Sequence, residues 1–190
     1  MAKPETIDQY KLNVNGIVID VRILRDKDEI VPSYNISILN ISLGTQIILN
    51  KLREEFISLV NVGNITVQER GVEGIKAVFE DEIKVLIKKY FPNIDDRTIT
   101  LLINYVIQQN IGLGNIEILL RDPNLEEIVV NNSEEPISVY HKKHGWMITN
   151  VKLPSEDRIR HYSTIIGRDV GKEITLLHPL MDAHLKSGDR

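Results

Sequence analysis

A chain of 190 residues with 42% hydrophobic and 26% charged residues is long enough for one large domain or two small ones, which excludes a disordered tail. It has no cysteine, so a disulfide framework, a thiolate nucleophile and Cys-ligated zinc or iron-sulfur centres are excluded, and a reducing compartment is expected. With 27 acidic against 23 basic residues and a net charge of -4, the chain lacks the basic excess that phosphate-backbone binding requires, so no nucleic acid is expected as a partner. No apolar stretch follows Lys3, and the longest apolar run, near Leu101–Ile107, is interrupted by Asn104. Neither a secretory signal nor a membrane span is read, and a cytoplasmic protein is expected.

In chain order, residues 10–40 alternate in places, as in Gly16–Val21 and Tyr34–Ile38, with a charged turn at Arg25-Asp26-Lys27-Asp28; this predicts two or three strands. After Ser42-Leu43-Gly44 the period becomes helical, with Ile48, Leu52, Phe56, Leu59 and Val60 on one face, up to the loop composition of Asn61–Asn64. A small α/β unit is thus expected over residues 1–63. A helical pair or linker follows over 64–110. Its first helix carries Val72, Ile75, Phe79, Ile83, Leu86, Ile87 and Tyr90 and stops at Phe91-Pro92. Its second begins with a carboxylate cap in Asn93–Asp96 and carries Ile99, Leu102, Ile103, Val106 and Ile107. The short connection predicts an antiparallel arrangement.

Ile111-Gly112-Leu113-Gly114 breaks that helix and opens another from Asn115 to Leu120, stopped by Asp122-Pro123. Glu127–Asn131 reads as a strand, Ile137–His141 as its partner, and Trp146–Ile148 as a third strand. Between the last two, Lys142-Lys143-His144-Gly145 is a hairpin turn with Gly145 at a positive φ. A helix starting at Ser155, with Ile159, Tyr162, Ile165 and Ile166 inward, ends at Val170-Gly171. Met181–Arg190 reads as a strand entering a turn, so the chain is expected to be a piece of a longer protein. The whole pattern belongs to the α+β class.

Few constellations suggest chemistry. Gly167-Arg168-Asp169-Val170-Gly171-Lys172-Glu173 approaches a phosphate loop, but its glycines are one residue too close and Glu173 replaces the hydroxyl; a glycine helix stop accounts for it better. His141 and His144 flank a turn that holds two lysines and no carboxylate, so a metal site drawing on His178 or His184 is set against an exposed polar hairpin, which is preferred. Ser163 with His161, and Asp182 with His184, lack a strained nucleophile elbow. Arg158, Arg160, Arg168 and Lys172 are interleaved with Glu156, Asp157, Asp169 and Glu173, the pattern of a solvated face. No catalytic residue and no metal ligand is assigned.

The segment Gly112-Leu113-Gly114-Asn115-Ile116-Glu117, continuing through Leu119-Leu120-Arg121-Asp122-Pro123 to Glu126-Glu127-Ile128 and Val130-Asn131, resembles the entry to the second N-terminal domain of secretion-superfamily ATPases. These are the hexameric motors of type II and type IV secretion, type IV pili and archaeal flagella. The likeness continues through Val139-Tyr140-His141 and Gly145 and ends in His178–Arg190, similar to the family's Pro-x-x-Asp-Ala-x-Leu-x-x-Gly-x-Arg segment. His184, Lys186 and Ser187 depart from it. Residues 10–63 are more loosely similar to the first N-terminal domain of archaeal members. The resemblance implies that 111–190 is a PAS-like second N-terminal domain, incomplete at its C-terminal end, with the motor domain missing. It implies a non-catalytic regulatory and coupling role, with ATP and magnesium held by the motor domain of the full-length protein and none by this fragment. It further implies neighbouring subunits of a homohexamer and a membrane platform protein as partners, and so peripheral association with the inner face of the membrane. By the same resemblance, Arg190 is the position for a nucleotide phosphate contact. The alternative from another class is a freestanding PAS-like module that binds a small molecule or a protein.

Overall fold

In the computed structural model, which describes residues 4–62, 71–110 and 113–172, the chain opens with a hairpin of β1 (Glu5–Val14) and β2 (Ile17–Arg25). Its two-residue turn needs positive φ at both positions, and Asn15 (φ 54) and Gly16 (φ 87) supply it. β3 (Ser33–Ile38) follows the charged turn. Then come α1 (Leu43–Val62), α2 (Gly71–Tyr90), α3 (Asp96–Asn110), α4 (Asn115–Leu120), β4 (Leu125–Val129), β5 (Pro136–His141), β6 (Gly145–Lys152) and α5 (Glu156–Asp169). The fold is α+β: the described residues form one six-stranded sheet, ordered β1-β2-β3-β6-β5-β4, and five helices. β4, β5 and β6 form an antiparallel meander, whereas β3 pairs with β6 in parallel, Tyr34 opposite Thr149.

Two compact units result, and neither is contiguous in sequence. One comprises 4–12, 20–37 and 115–172; the other comprises 13–19, 38–62, 71–110 and 113–114. The stretches expected as 1–63, 64–110 and 111–190 describe the order of patterns along the chain. The units cut across that order, because strands from both ends of the chain share the sheet.

In the first unit, period-two alternation fixes one face. Tyr34, Ile137, Val139, Met147 and Val151 are buried, as are Ile118 and Leu119 of α4 and Tyr162 of α5. On the opposite face of β6, Trp146 and Ile148 are exposed, and Trp146 stands edge-on to Tyr140 at 5.4 Å. The start of α5 is as expected, with the Arg158 N–H donating to Ser155 Oγ at 3.3 Å. So is its end: Gly171 takes φ +67 and the Lys172 N–H returns to the Gly167 carbonyl.

In the second unit α1, α2 and α3 pack on one another. Leu49 and Leu52, Ile83, Leu86 and Ile87, and Ile99, Leu102 and Val106 are buried, while Ile48 is half-buried. Phe56, Leu59, Val60, Val72, Ile75 and Phe79 lie outside the described side chains. Ser42 caps α1 through the Thr45 N–H, and Asp95 caps α3 by accepting from the Thr98 N–H at 2.9 Å and the Thr98 hydroxyl at 2.6 Å. The hairpin tip belongs to this unit: Asn40 accepts from the Val18 N–H and donates to the Gly16 carbonyl, and Asn104 donates to the Asn15 carbonyl.

Candidate functional site

Within the first unit, polar chemistry gathers at the α4–β4 connection. Pro123 cannot continue the helix and disfavours helical backbone at Asp122, so α4 ends at Leu120 and the Asp122 N–H closes on the Leu119 carbonyl. The carboxylate turns inward and is 3% exposed. Its Oδ2 accepts from the Tyr10 hydroxyl of β1 at 2.5 Å and from the Tyr34 hydroxyl of β3 at 2.6 Å. Its Oδ1 accepts from the Asn124 N–H at 2.9 Å and from Asn124 Nδ2 at 3.1 Å. A buried carboxylate without such donors would cost several kcal/mol, on the order of a broken buried ion pair. Four neutral donors satisfy it.

Burial first, and then the bond to Asp122, push both tyrosine hydroxyls far above their ordinary pKa. Raised in this way, both hydroxyls serve as donors to the carboxylate, and the arrangement fixes the positions of β1, β3 and the α4–β4 connection. The connection is fastened on its other side too: the Lys142 N–H donates to the Asn124 carbonyl at 2.9 Å and Lys142 Nζ to the Pro123 carbonyl at 2.6 Å.

A second group of ionisable residues adjoins this one. His141 shares the parity of Ile137 and Val139 on β5 and is 3% exposed. Its Nδ1 accepts the Lys143 N–H at 3.1 Å, which places the ring proton on Nε2; that atom is buried without a hydrogen-bond partner. Such an orphan donor costs about 1–3 kcal/mol. Burial, and next the neighbouring His144, lower the His141 pKa from its ordinary value of 6.5. His144 Nε2 lies 2.9 Å from Asp8 Oδ2, and that bond is the main cause holding the Asp8 carboxyl below its usual range.

The sequence-predicted sites fare unevenly. The two histidines do converge, with ring centroids 4.9 Å apart. The exposed polar hairpin is corrected here: His141 is core, and β1 supplies through Asp8 the carboxylate that the turn lacks. Among the described residues no group of three or more His, Asp or Glu side chains is placed to hold a metal ion. The near-phosphate loop is the end of α5, with Gly167 inside the helix and Gly171 as its stop. The Ser163 hydroxyl is spent on the Ile159 carbonyl. Arg160 pairs in solvent with Asp157, whereas Arg158 lies over the Tyr162 ring at 5.4 Å. Arg190, His178, Asp182 and His184 lie outside the described residues. Sequence reasoning missed Asp8, Tyr10, Tyr34 and Asp122 as one group. Its one local signal was the Asp122-Pro123 helix stop.

No family profile matches the chain. Similar proteins occur in Methanocaldococcus jannaschii. The uncharacterized protein MJ1288 is 30% identical over 140 residues, covering 74% of this chain and 54% of that protein. The uncharacterized protein MJ0900 is 33% identical over 87 residues, 45% of this chain and 16% of its own length. The uncharacterized protein MJ0781 is 35% identical over 81 residues, 41% of this chain and 11% of its own length. The matched stretch thus spans about half of the first relative and a small part of the other two. No described helix is long and apolar enough to cross a membrane.

Proposed function

We propose that this chain is the non-catalytic N-terminal regulatory and coupling region of a hexameric secretion, pilus or flagellar assembly ATPase, whose PAS-like part closes over nucleotide held by a motor domain further along the chain. The observation that carries this reading is the use made of the resembling segment. Gly114 takes φ 58 just before α4, Ile118 and Leu119 are fully buried, and Asp122 collects Tyr10 and Tyr34. Residues that carry the likeness in sequence therefore also organise the unit. The small shares matched in MJ0900 and MJ0781 support a module carried by longer proteins.

On this reading ATP and magnesium belong to the motor domain, and the partners are that domain, neighbouring subunits and a membrane platform protein. Arg190 would bring its fork of donors to the nucleotide phosphates on closure. The first test is the coding sequence beyond Arg190, where a Gly-x-x-x-x-Gly-Lys-Ser/Thr loop is expected. In the full-length protein Arg190→Ala should lower ATP turnover about ten-fold or more without lowering the melting temperature. Arg160→Ala is the control, since Arg160 pairs only at the surface. Equal loss from both substitutions, or no phosphate loop downstream, overturns the proposal.

A further inference from the structure

Four titratable side chains meet where β1 faces the β5–β6 turn: Asp8, His141, Lys143 and His144. β1 and β6 are three places apart in the sheet, and the 2.9 Å bond between His144 and Asp8 ties the turn to β1. Beside the pairing of His141 with Gly145, the Lys143 N–H donates to His141 Nδ1 within the turn. Because Nε2 already carries the ring proton, a second proton can bind only at Nδ1, where it displaces the Lys143 N–H.

The charge so created would be buried and poorly answered. His144 stands 4.9 Å away between ring centroids and Lys143 is adjacent in the turn, both able to repel it. Asp8 is engaged by His144 and lies 3.5 Å from Lys143 Nζ. Asp122 is filled by Tyr10, Tyr34 and Asn124. The Tyr10 ring is 6.3 Å from the imidazole, with its hydroxyl committed, and Lys142 Nζ is held on the Pro123 carbonyl. Asp122 and Asp8 favour the new charge, but burial and His144 outweigh them.

We infer that His141, His144 and Asp8 form a proton-operated latch: with His141 neutral its Nδ1 holds the Lys143 amide, and protonation of His141 breaks that bond and releases the amide, while His144 keeps the turn tied to Asp8 of β1. This goes beyond the coupling role proposed above and does not depend on it. The direction follows from burial and from His144, which make His141 bind a proton less readily in the folded chain than in the unfolded one. The latch therefore contributes fully above the ordinary value of 6.5 and is lost as pH falls from there through the lower, folded value. Asp8, held below the usual carboxylate range, stays ionised while the latch opens.

The test is NMR on the 190-residue chain, following the histidine ring signals and the exchange of the Lys143 amide from about pH 7.5 down to 4.5. The protection of the Lys143 amide, its rate corrected for the pH dependence of intrinsic exchange, should fall about ten-fold once His141 is charged, with the same midpoint as the His141 titration. His141→Asn keeps an acceptor near the Nδ1 position and cannot be protonated, so the amide should stay protected throughout. His144→Gln removes the neighbour that lowers the His141 pKa, so both midpoints should move upward together. Protection that ignores the His141 titration, or that is lost at the same pH in His141→Asn, overturns the latch. If His141→Asn does not fold, the wild type and His144→Gln decide: joint midpoints support the latch and separate midpoints refute it.

Discussion

The Asp122 group in the first unit is held by tyrosine and asparagine side chains and the hairpin tip in the second by asparagines, and the two stand in different solvents. Asp122 and the Tyr34 hydroxyl are bonded in the interior. The bonds of Asn40 and Asn104 to the hairpin tip lie in exposed positions, and the second unit is buried through aliphatic side chains instead. A bond made in water is exchanged for one to water when lost. A bond made in the core leaves both former partners unanswered.

That contrast orders the expected effects of substitution. Asp122→Ala removes the acceptor of the buried Tyr34 hydroxyl and the half-buried Tyr10 hydroxyl and the turn bonds from Asn124, and should cost about 3 kcal/mol or more in urea unfolding. Gly145→Val should cost about 1 kcal/mol or more. Gly145 sits at φ +71 and an added Cβ would meet nothing within 4 Å, so the loss reports backbone strain without steric crowding. Asn40→Ala, at the exposed tip, should cost less than about 1 kcal/mol in the same titration. A cost for Asn40→Ala equal to that of Asp122→Ala would erase the distinction between the two regions. An unchanged midpoint for Gly145→Val would show that the turn relaxes to another backbone.

Local signals carried much of this architecture. Asn115–Leu120, the β5–β6 hairpin with Gly145 at positive φ, and the Gly171 stop are each fixed by residues within a few positions of one another, and all were legible. The start of β1 at Glu5 was not, because its exposed alternation is polar, although Asn15-Gly16 announced the hairpin chemically. The burial of His141 was also written in its parity with Ile137 and Val139, but the lysines beside it suggested a wholly exposed turn. The tyrosines that meet Asp122 come from 112 and 88 residues away, a separation that leaves no periodic trace. Parallel pairing of β3 with β6 is equally silent in any local window.

The same pairing sets an order on folding. Hairpins such as β5–β6 close within microseconds, on the order of 1–10 μs, but β3 gains its second neighbour only after β6 has been synthesised. Until then β3 presents an open edge, and Tyr34 waits for a carboxylate 88 residues downstream. A ribosome pausing before Thr149 would therefore hold out a strand able to pair with another nascent chain, and prompt delivery of β6 is what keeps this sheet to itself.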